Sequence, residues 1–203
     1  MILFRERDGG LLMRLMLIVV VSISLLATPA MATDGTQTPK TKRYSVGIGY
    51  AGTAIDVDFK RAGDDLLTLG GWGLRARGVV KGPWALQVRY LSDDGDYRGG
   101  GKIFLDQLDL QGSFKLLESD RKYFQVYATL GLSRLDFEER IPLTGTFSDR
   151  AFGAAVGVGL EYGPPRYALF VDFSATFVDV RLSPGVTETW TIVNTIGGFA
   201  FRF

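Results

Sequence analysis

Apolar and polar side chains alternate with a period of two in the last stretch of the chain, from Thr189 to Phe203. Successive side chains of a β-strand point to opposite faces, so this pattern predicts a strand. One predicted face is apolar and aromatic, with Val193, Thr195, Gly197, Phe199, Phe201 and Phe203. The opposite face is small or polar, with Asn194, Ile196, Gly198, Ala200 and Arg202.

Seven further stretches alternate in the same way, and no helical period longer than one turn follows Tyr44. The first begins at Tyr44, and the others cover residues 66–79, 84–91, 103–116, 123–137, 151–162 and 167–180. In the first stretch the apolar side chains change phase near Gly52, after which Ile55, Val57 and Phe59 form the apolar set. A β-bulge would produce such a change. The sequence therefore predicts an all-β chain of eight strands with a bulge near Gly52.

The two faces of the predicted strands differ strongly in polarity. Phenylalanine, leucine and valine occupy one face, and glycine, glutamine and charged side chains occupy the other. The charged set is Arg75, Arg77, Arg89, Asp109, Lys115, Glu161, Asp172 and Arg202. A water-soluble barrel would have to bury these charges and expose the apolar face, and both are costly. Lipid outside and ion pairs inside satisfy both faces, so the pattern predicts an eight-stranded antiparallel up-and-down transmembrane β-barrel, closed without open edges.

The end of the chain carries a recognisable signal. Gly198, Phe201 and the terminal Phe203 resemble the C-terminal signal of bacterial outer-membrane barrels, in which a glycine precedes a hydrophobic residue and a final aromatic. Ile196 departs from the polar residue that usually begins this signal. With its eight strands, the chain resembles the small outer-membrane barrels, such as the OmpA transmembrane domain and OmpX. The resemblance implies a monomer in the Gram-negative outer membrane that contacts lipid and lipopolysaccharide and whose last strand is recognised by the barrel assembly machinery.

The connections between predicted strands alternate in length. Those around Gly82, Ser119 and Pro164 are short. Those after the first, third, fifth and seventh strands are longer and more charged, over residues 60–65, 92–102, 138–150 and 181–188. Outer-membrane barrels have short periplasmic turns and longer outer loops, so we expect both termini on the periplasmic side.

The only long apolar run, Leu11–Ala27, lies near the N-terminus and is followed by the small side chains of Ala30 and Ala32. This arrangement predicts a secretory signal peptide over residues 1–32, cleaved after Ala32. Translation from Met13 would give a leader of ordinary layout, because acidic residues and glycines precede it. The rest of the chain divides into a polar periplasmic lead-in, 33–42, and the barrel, 43–203.

Composition excludes several kinds of chemistry. The formal net charge of +1 gives no indication of nucleic-acid binding. The chain has no cysteine and no histidine, which excludes disulfides, thiolate metal sites and Ser-His catalysis. The glycines from Gly47 to Gly52 match a dinucleotide-binding pattern, but a strand pattern follows where that site needs a helix. We therefore predict neither enzyme activity nor a cofactor or metal, although Asp pairs could still act as acid and base in a lipid-modifying enzyme.

Charged residues in the predicted outer loops form a second group of candidates. Asp93, Asp94 and Asp96 surround Gly95 and are interpreted as a solvated loop tip, because the ligand spacing of a calcium loop is missing. An alternative is that they bridge divalent cations to lipopolysaccharide phosphates. The basic residues that could contact such phosphates directly are Arg61, Arg98, Lys102, Arg140 and Arg150.

The predicted interior charges are the main candidate site. A tight turn at Gly82 would place Arg75 opposite Arg89, and facing arginines repel unless an acid such as Asp109 or Asp172 intervenes. One interpretation is a salt-bridge network that closes the interior of a barrel with a structural, envelope-integrity or surface-interaction role. The alternative is a narrow, low-conductance pore for small solutes.

Overall fold

The computed structural model describes residues 44–56, 67–97, 100–119, 123–142, 145–183 and 186–203. These residues form eight strands: β1 (Tyr44–Asp56), β2 (Leu67–Lys81), β3 (Trp84–Tyr97), β4 (Gly101–Glu118), β5 (Phe124–Ile141), β6 (Gly145–Tyr162), β7 (Tyr167–Ser183) and β8 (Val186–Arg202). No helix in these ranges is long and apolar enough to cross a membrane. The predicted leader with Met13, Ala30 and Ala32, the lead-in, and Arg61 and Arg98 lie outside the described residues.

The strands close into a single antiparallel barrel, as predicted. Each strand pairs with the next in the chain, and β8 pairs with β1. The closing pair is extended by two backbone hydrogen bonds between Tyr44 and Phe203, of 3.1 and 3.0 Å. The first and last described residues therefore lie at the same end of the barrel, which we call the terminal end. The opposite end is the far end.

The far-end connections are shorter than the sequence predicted. The regions assigned to loops over 92–102, 138–150 and 181–188 are mostly strand, because β3 continues to Tyr97, β5 continues to Ile141 and β7 continues to Ser183. Charged residues of these regions such as Asp94 and Arg150 occupy the outer face of a strand, whereas Asp93 points inward and is buried. Asp93, Asp94 and Asp96 lie on β3, and the interpretation of them as a loop tip was wrong.

A continuous apolar band surrounds the outer face of the barrel. On β6 it runs from Phe152 to Tyr162, the roughly ten residues that a tilted transmembrane strand needs. Beyond Phe152 the outer face of β6 becomes polar, starting with Arg150. The exposed members of the band are Ile48, Tyr50, Trp72, Trp84, Leu86, Leu110, Phe114, Leu130, Leu132, Phe152, Val156, Val158, Leu160, Tyr162, Tyr167, Leu169, Phe173, Phe177, Val193, Phe199 and Phe201.

The interior also changes polarity at the level where the outer apolar band ends, but in the opposite sense to the outer face. Inside the band it is filled mainly by polar and charged side chains, together with a small apolar cluster of Ala51, Leu91, Phe170, Ile196 and Ala200. Beyond the band, towards the far end, it is filled by a packed apolar cluster that we call the far-end core. Its members are Ile55, Leu69, Ile103, Leu105, Leu135, Phe137, Ala151, Val178, Val180, Trp190 and Ile192. The strands are therefore apolar outside and polar inside along one part of the axis, and the reverse along the other.

This reversal explains the phase change near Gly52, for which a bulge was predicted. The register of β1 is continuous through Gly52, which pairs with Gly70 on one side and Thr195 on the other. Ile55 points inward on the same side as Ser45 and is fully buried in the far-end core. The prediction of a bulge was wrong: the register of β1 is unbroken, and what changes along the strand is whether its inner face meets polar or apolar side chains. Val57 and Phe59 lie outside the described residues.

We expect the far-end core to stabilise the barrel as the core of a soluble protein does. Phe137 packs edge-on against Trp190, with ring centroids 5.1 Å apart. Phe137→Ala should lower the free energy of unfolding by about 3–5 kcal/mol, because it removes a buried ring and leaves a cavity. Denaturant unfolding in phospholipid vesicles measures this. Ser148→Ala, on the exposed outer face of β6, is the control and should change stability by less than about 0.5 kcal/mol. Equal effects of the two variants would contradict a packed core.

Candidate functional site

Eight charged side chains are buried in the barrel interior, and we call them the inner charge network. They are Arg75, Arg77, Arg89 and Arg202 together with Asp93, Asp109, Glu161 and Asp172. Seven of them belong to the set predicted from the sequence. Lys115 does not join the network, because it lies at the terminal end, about a third exposed, and pairs with Glu118 at 2.6 Å. Asp93 was missed because the strand that carries it was interpreted as a loop.

Glu161 on β6 is shared by three arginines. Its Oε1 lies 2.5 Å from Nη2 of Arg75 and 3.8 Å from Nη1 of Arg77. Its Oε2 accepts hydrogen bonds from Nη2 and Nε of Arg202, at 2.8 and 3.1 Å. Arg202 also donates to the carbonyl of Gly163 at 3.2 Å. One carboxylate thus joins β2, β6 and β8 near the terminal end.

Asp172 on β7 forms a second junction in the network. Nη1 of Arg75 lies 3.5 Å from its Oδ1 and donates to the Tyr127 hydroxyl at 2.5 Å. Tyr127 is itself hydrogen-bonded to Asp172, and Nε2 of Gln87 donates to Oδ2 of Asp172 at 3.1 Å. The guanidinium of Arg75 stacks over the ring of Phe170 at 4.1 Å. Arg75 is therefore held by charge, hydrogen bonds and an aromatic face together, while its Nε has no hydrogen-bond partner among the described residues.

Arg89 is held by a different acid. The pairing of Arg75 with Arg89 across β2 and β3 is as predicted, and the two arginines turn to separate carboxylates. Arg89 binds Oδ2 of Asp109 through both Nε, at 3.1 Å, and Nη2. It also donates to the hydroxyl of Ser174 at 2.6 Å. The repulsion between the facing arginines is thus offset by one acid for each.

A chain of polar side chains extends from Asp109 towards the far end, and we call it the amide relay. Gln107 donates to Oδ1 of Asp109 at 2.8 Å, and Asn194 donates to Oε1 of Gln107 at 3.1 Å. The Thr53 hydroxyl lies 2.8 Å from Oδ1 of Asn194 and also contacts the carboxyl group of Asp93. The relay ends directly beneath the far-end core, because Thr53 precedes Ile55 on the inward face of β1.

The C-terminal signal residues form part of the seam between β1 and β8. Gly198 faces Gly49 across the pair, and a Cβ at Gly198 would lie 2.1 Å from the carbonyl oxygen of Ile48. Phe201 points outward, and Phe203 stacks on Tyr44 with ring centroids 6.1 Å apart. The backbone thus approaches closely where a side chain would not fit.

Other chemistry finds little support in the described part of the chain. No group of three or more acidic, histidine or cysteine side chains in it could hold a metal ion. Gly47, Gly49 and Gly52 lie on β1, which is paired on both sides, so no helix follows them to bind a phosphate. The arrangement that remains is a polar interior whose charged groups are engaged mainly with one another.

The sequence matches the family model described as the outer membrane protein β-barrel domain over residues 18–197. The chain belongs to this family. Membership places the protein in the outer membrane, so the apolar band faces lipid. No curated protein shows significant similarity to the chain.

Solved structures of outer-membrane barrels share the fold at low sequence identity. Neisserial surface protein A is 12% identical with a TM-score of 0.64, covering 79% of this chain and 97% of its own. Ail, the attachment invasion locus protein of Yersinia pestis, is 17% identical with a TM-score of 0.52, covering 80% and 99%. OprG from Pseudomonas aeruginosa is 13% identical with a TM-score of 0.51, covering 80% and 96%. At these identities the likeness concerns the fold.

Removing the shared carboxylate should strongly destabilise the barrel. Glu161→Gln keeps the shape of the side chain but leaves three buried arginines without their common acid. Loss of one partner from a buried ion pair costs about 3–5 kcal/mol, which denaturant unfolding in vesicles would detect. Glu118→Gln, in a partly exposed pair, is the matched control and should cost less than about 1 kcal/mol. A Glu161→Gln variant as stable as that control would show that the network is dispensable.

Proposed function

We propose that the chain is a structural outer-membrane barrel with a closed interior, which contributes to envelope integrity or presents its far end to surface partners. The observation that carries this proposal is that two different fillings follow each other along the axis. The inner charge network occupies the interior within the lipid-facing band, and the far-end core occupies the interior beyond it.

The two fillings oppose ion passage in different ways. An ion within the band would have to break buried pairs such as Arg89 with Asp109, whose separated charges are costly in a dry interior. Beyond the band it would have to enter a packed apolar cluster that includes Phe137 and Trp190, where it would lose its hydration. An eight-stranded barrel is just wide enough to be filled by side chains, which agrees with a closed interior.

A narrow pore is the second candidate, and one observation favours it. Both amide atoms of Gln111 and the hydroxyl of Ser133 are buried and have no hydrogen-bond partner among the described residues. Unpaired polar groups of this kind attract water. They lie on the neighbouring strands β4 and β5, so a hydrated path along this wall would be the route for a small solute.

Conductance measurements distinguish the two candidates. Purified protein in planar bilayers should give no steady single-channel steps under conditions where a porin control conducts. Vesicles that contain the protein should not swell in small sugars, because the far-end core would block the solute. Conductance steps of constant size, whose frequency rises with protein concentration, would contradict the closed barrel and support the pore.

We further propose that the protein is not an enzyme. The absence of histidine removes the usual base of lipid-modifying barrels. The carboxylates inside the barrel are buried, and Asp109, Glu161 and Asp172 are engaged with arginines. Turnover of phospholipid or lipid A by the purified protein would contradict this.

The proposed orientation places the terminal end in the periplasm and the far end outside the cell. Tyr44 and Phe203 would then lie in the periplasm, and the assembly machinery would recognise β8 through Gly198, Phe201 and Phe203. A chain ending at Arg202 should give a smaller folded fraction in the outer membrane. The barrel is proposed to be a monomer, which its mass in detergent would test.

Lipopolysaccharide is the proposed lipid partner at the far end, and a ledge of charge beyond the band supports this. Asp136 on the outer face of β5 accepts from Arg134 at 2.8 Å and from Arg150 of β6 at 2.6 Å. Asp106 of β4 lies opposite Asp136, so the ledge carries both signs of charge, and Arg134 and Arg150 are its groups that could bind a phosphate. Leu132 and Phe152 end the lipid-facing band next to this ledge, which is the level of lipid headgroup phosphates.

The double variant Arg134→Gln with Arg150→Gln should therefore bind lipopolysaccharide at least about tenfold more weakly, since a hydrogen bond to a charged group contributes about 1.5–3 kcal/mol. Binding to labelled lipopolysaccharide in detergent measures this. Lys81→Gln with Arg166→Gln removes the same charge from exposed positions at the terminal end and should have no effect. Equal loss in both double variants would mean that only net charge matters.

A further inference from the structure

The orientation of every amide in the relay is fixed by the ion pair at one end. Both Nε and Nη2 of Arg89 bind Oδ2 of Asp109, so this carboxylate is ionised. Its other oxygen, Oδ1, lies 2.8 Å from Gln107 and can only accept a hydrogen bond. The Gln107 amide must therefore present its nitrogen to Asp109 and its oxygen, Oε1, to Asn194.

The same argument continues along the relay. Oε1 of Gln107 can only accept, so the atom of Asn194 that lies 3.1 Å away is the amide nitrogen. Oδ1 of Asn194 then faces the Thr53 hydroxyl at 2.8 Å. A hydroxyl has a single hydrogen, and Oδ1 of Asn194 has no other hydrogen-bond donor among the described residues, so we assign the Thr53 hydrogen to Asn194.

The Thr53 oxygen can now only accept from its remaining neighbour, the carboxyl group of Asp93. An ionised carboxylate has no hydrogen to donate and would face the lone pairs of the hydroxyl. We propose that Asp93 is a proton-binding site: it holds a neutral carboxylic acid that donates to Thr53 and couples the inner charge network to the far-end core.

The surroundings of Asp93 agree with a neutral group. Among the described residues, no arginine or lysine of any strand lies within ion-pair distance of its carboxyl, which is 3% exposed. The nearby ionisable groups are Asp94, the next residue on β3, and Asp106 on the outer face of β4, and both are acids. The second oxygen, Oδ1, has no hydrogen-bond partner among the described residues. Neither a cation nor an amide there favours the charged form.

A neutral Asp93 also changes the charge of the interior. Four arginines then face the three carboxylates of Asp109, Glu161 and Asp172. Arg77 is the cation with the weakest partner, because its carboxylate contact is 3.8 Å. It donates to Gln125 at 3.4 Å, close to the terminal end.

The proton on Asp93 couples the inner charge network to the far-end core, because the amide relay lies directly next to that core. Thr53, Gln107 and Asn194 are each two residues from a core member on the same inward face: Ile55, Leu105 and Ile192. Loss of the proton would break the contact with Thr53 and place an unpaired charge beside apolar side chains. The far end should therefore loosen as the pH rises.

Infrared spectroscopy of the protein in vesicles at neutral pH tests the assignment. The native protein should show the carbonyl stretch of a buried carboxylic acid, which Asp93→Asn abolishes and Asp94→Asn retains. Should Asp93→Asn fail to fold, Thr53→Ala removes the acceptor and should shift the same band. A native protein without this band, or a band unchanged in Asp93→Asn or Thr53→Ala, overturns the proposal.

Stability against pH gives an independent readout. At neutral pH the native state would bind one proton more than the unfolded chain, so the free energy of unfolding should fall as the pH rises. The equilibrium constant for unfolding should rise by up to about tenfold per pH unit relative to Asp93→Asn, whose amide can donate to Thr53 but cannot ionise. Asp94→Asn should follow the native curve. Parallel curves for the native protein and Asp93→Asn would overturn the proposal.

Discussion

The surroundings of the outer face determine where each kind of side chain lies in this barrel. Lipid requires an apolar outer face, and the side chains left for the interior at that level are mostly polar and must satisfy one another. Beyond the lipid the outer face meets water, and the apolar side chains return to the interior. Every strand except β3 obeys both conditions in sequence, which is why Val46 and Ile48 point outward while Ile55, on the same strand, points inward.

The polar interior is costly to assemble and is therefore specific. A buried arginine with a misplaced acid is destabilising, so only a barrel with the correct strand tilt and register brings Arg75, Arg77 and Arg202 to Glu161. The far-end core is less demanding, because apolar contacts are not directional. The inner charge network thus favours one register of the strands. The far-end core contributes stability but depends less on the exact geometry.

The period-two pattern was enough to predict eight strands, their antiparallel order and the inward direction of seven buried charged residues. It also predicted which arginines face each other, because a tight turn at Gly82 fixes the register of β2 and β3. Partners across the barrel could not be predicted. Glu161 and Arg75 are separated by 86 positions, and their meeting depends on the stagger of all the strands between them.

The errors have a common physical origin. Alternation fixes which residues share a face but not which medium that face meets, so Ile55 suggested a bulge and Asp93 suggested a loop. A phase change without a turn signal, repeated at the same level on several strands, is the feature that could have revealed the far-end core. The amide relay could not have been found in this way, because its members come from β1, β3, β4 and β8.

Glycines face each other near the middle of the seam between β1 and β8, as they also do between β1 and β2. Where Gly49 meets Gly198 there is no rotamer to restrict, so joining the ends of the sheet at this point costs no side-chain entropy. The peptide planes can also slide past each other without steric contact between side chains. Pairing of β8 with β1, which closes the barrel, can therefore begin at these glycines, where only backbone atoms have to approach each other.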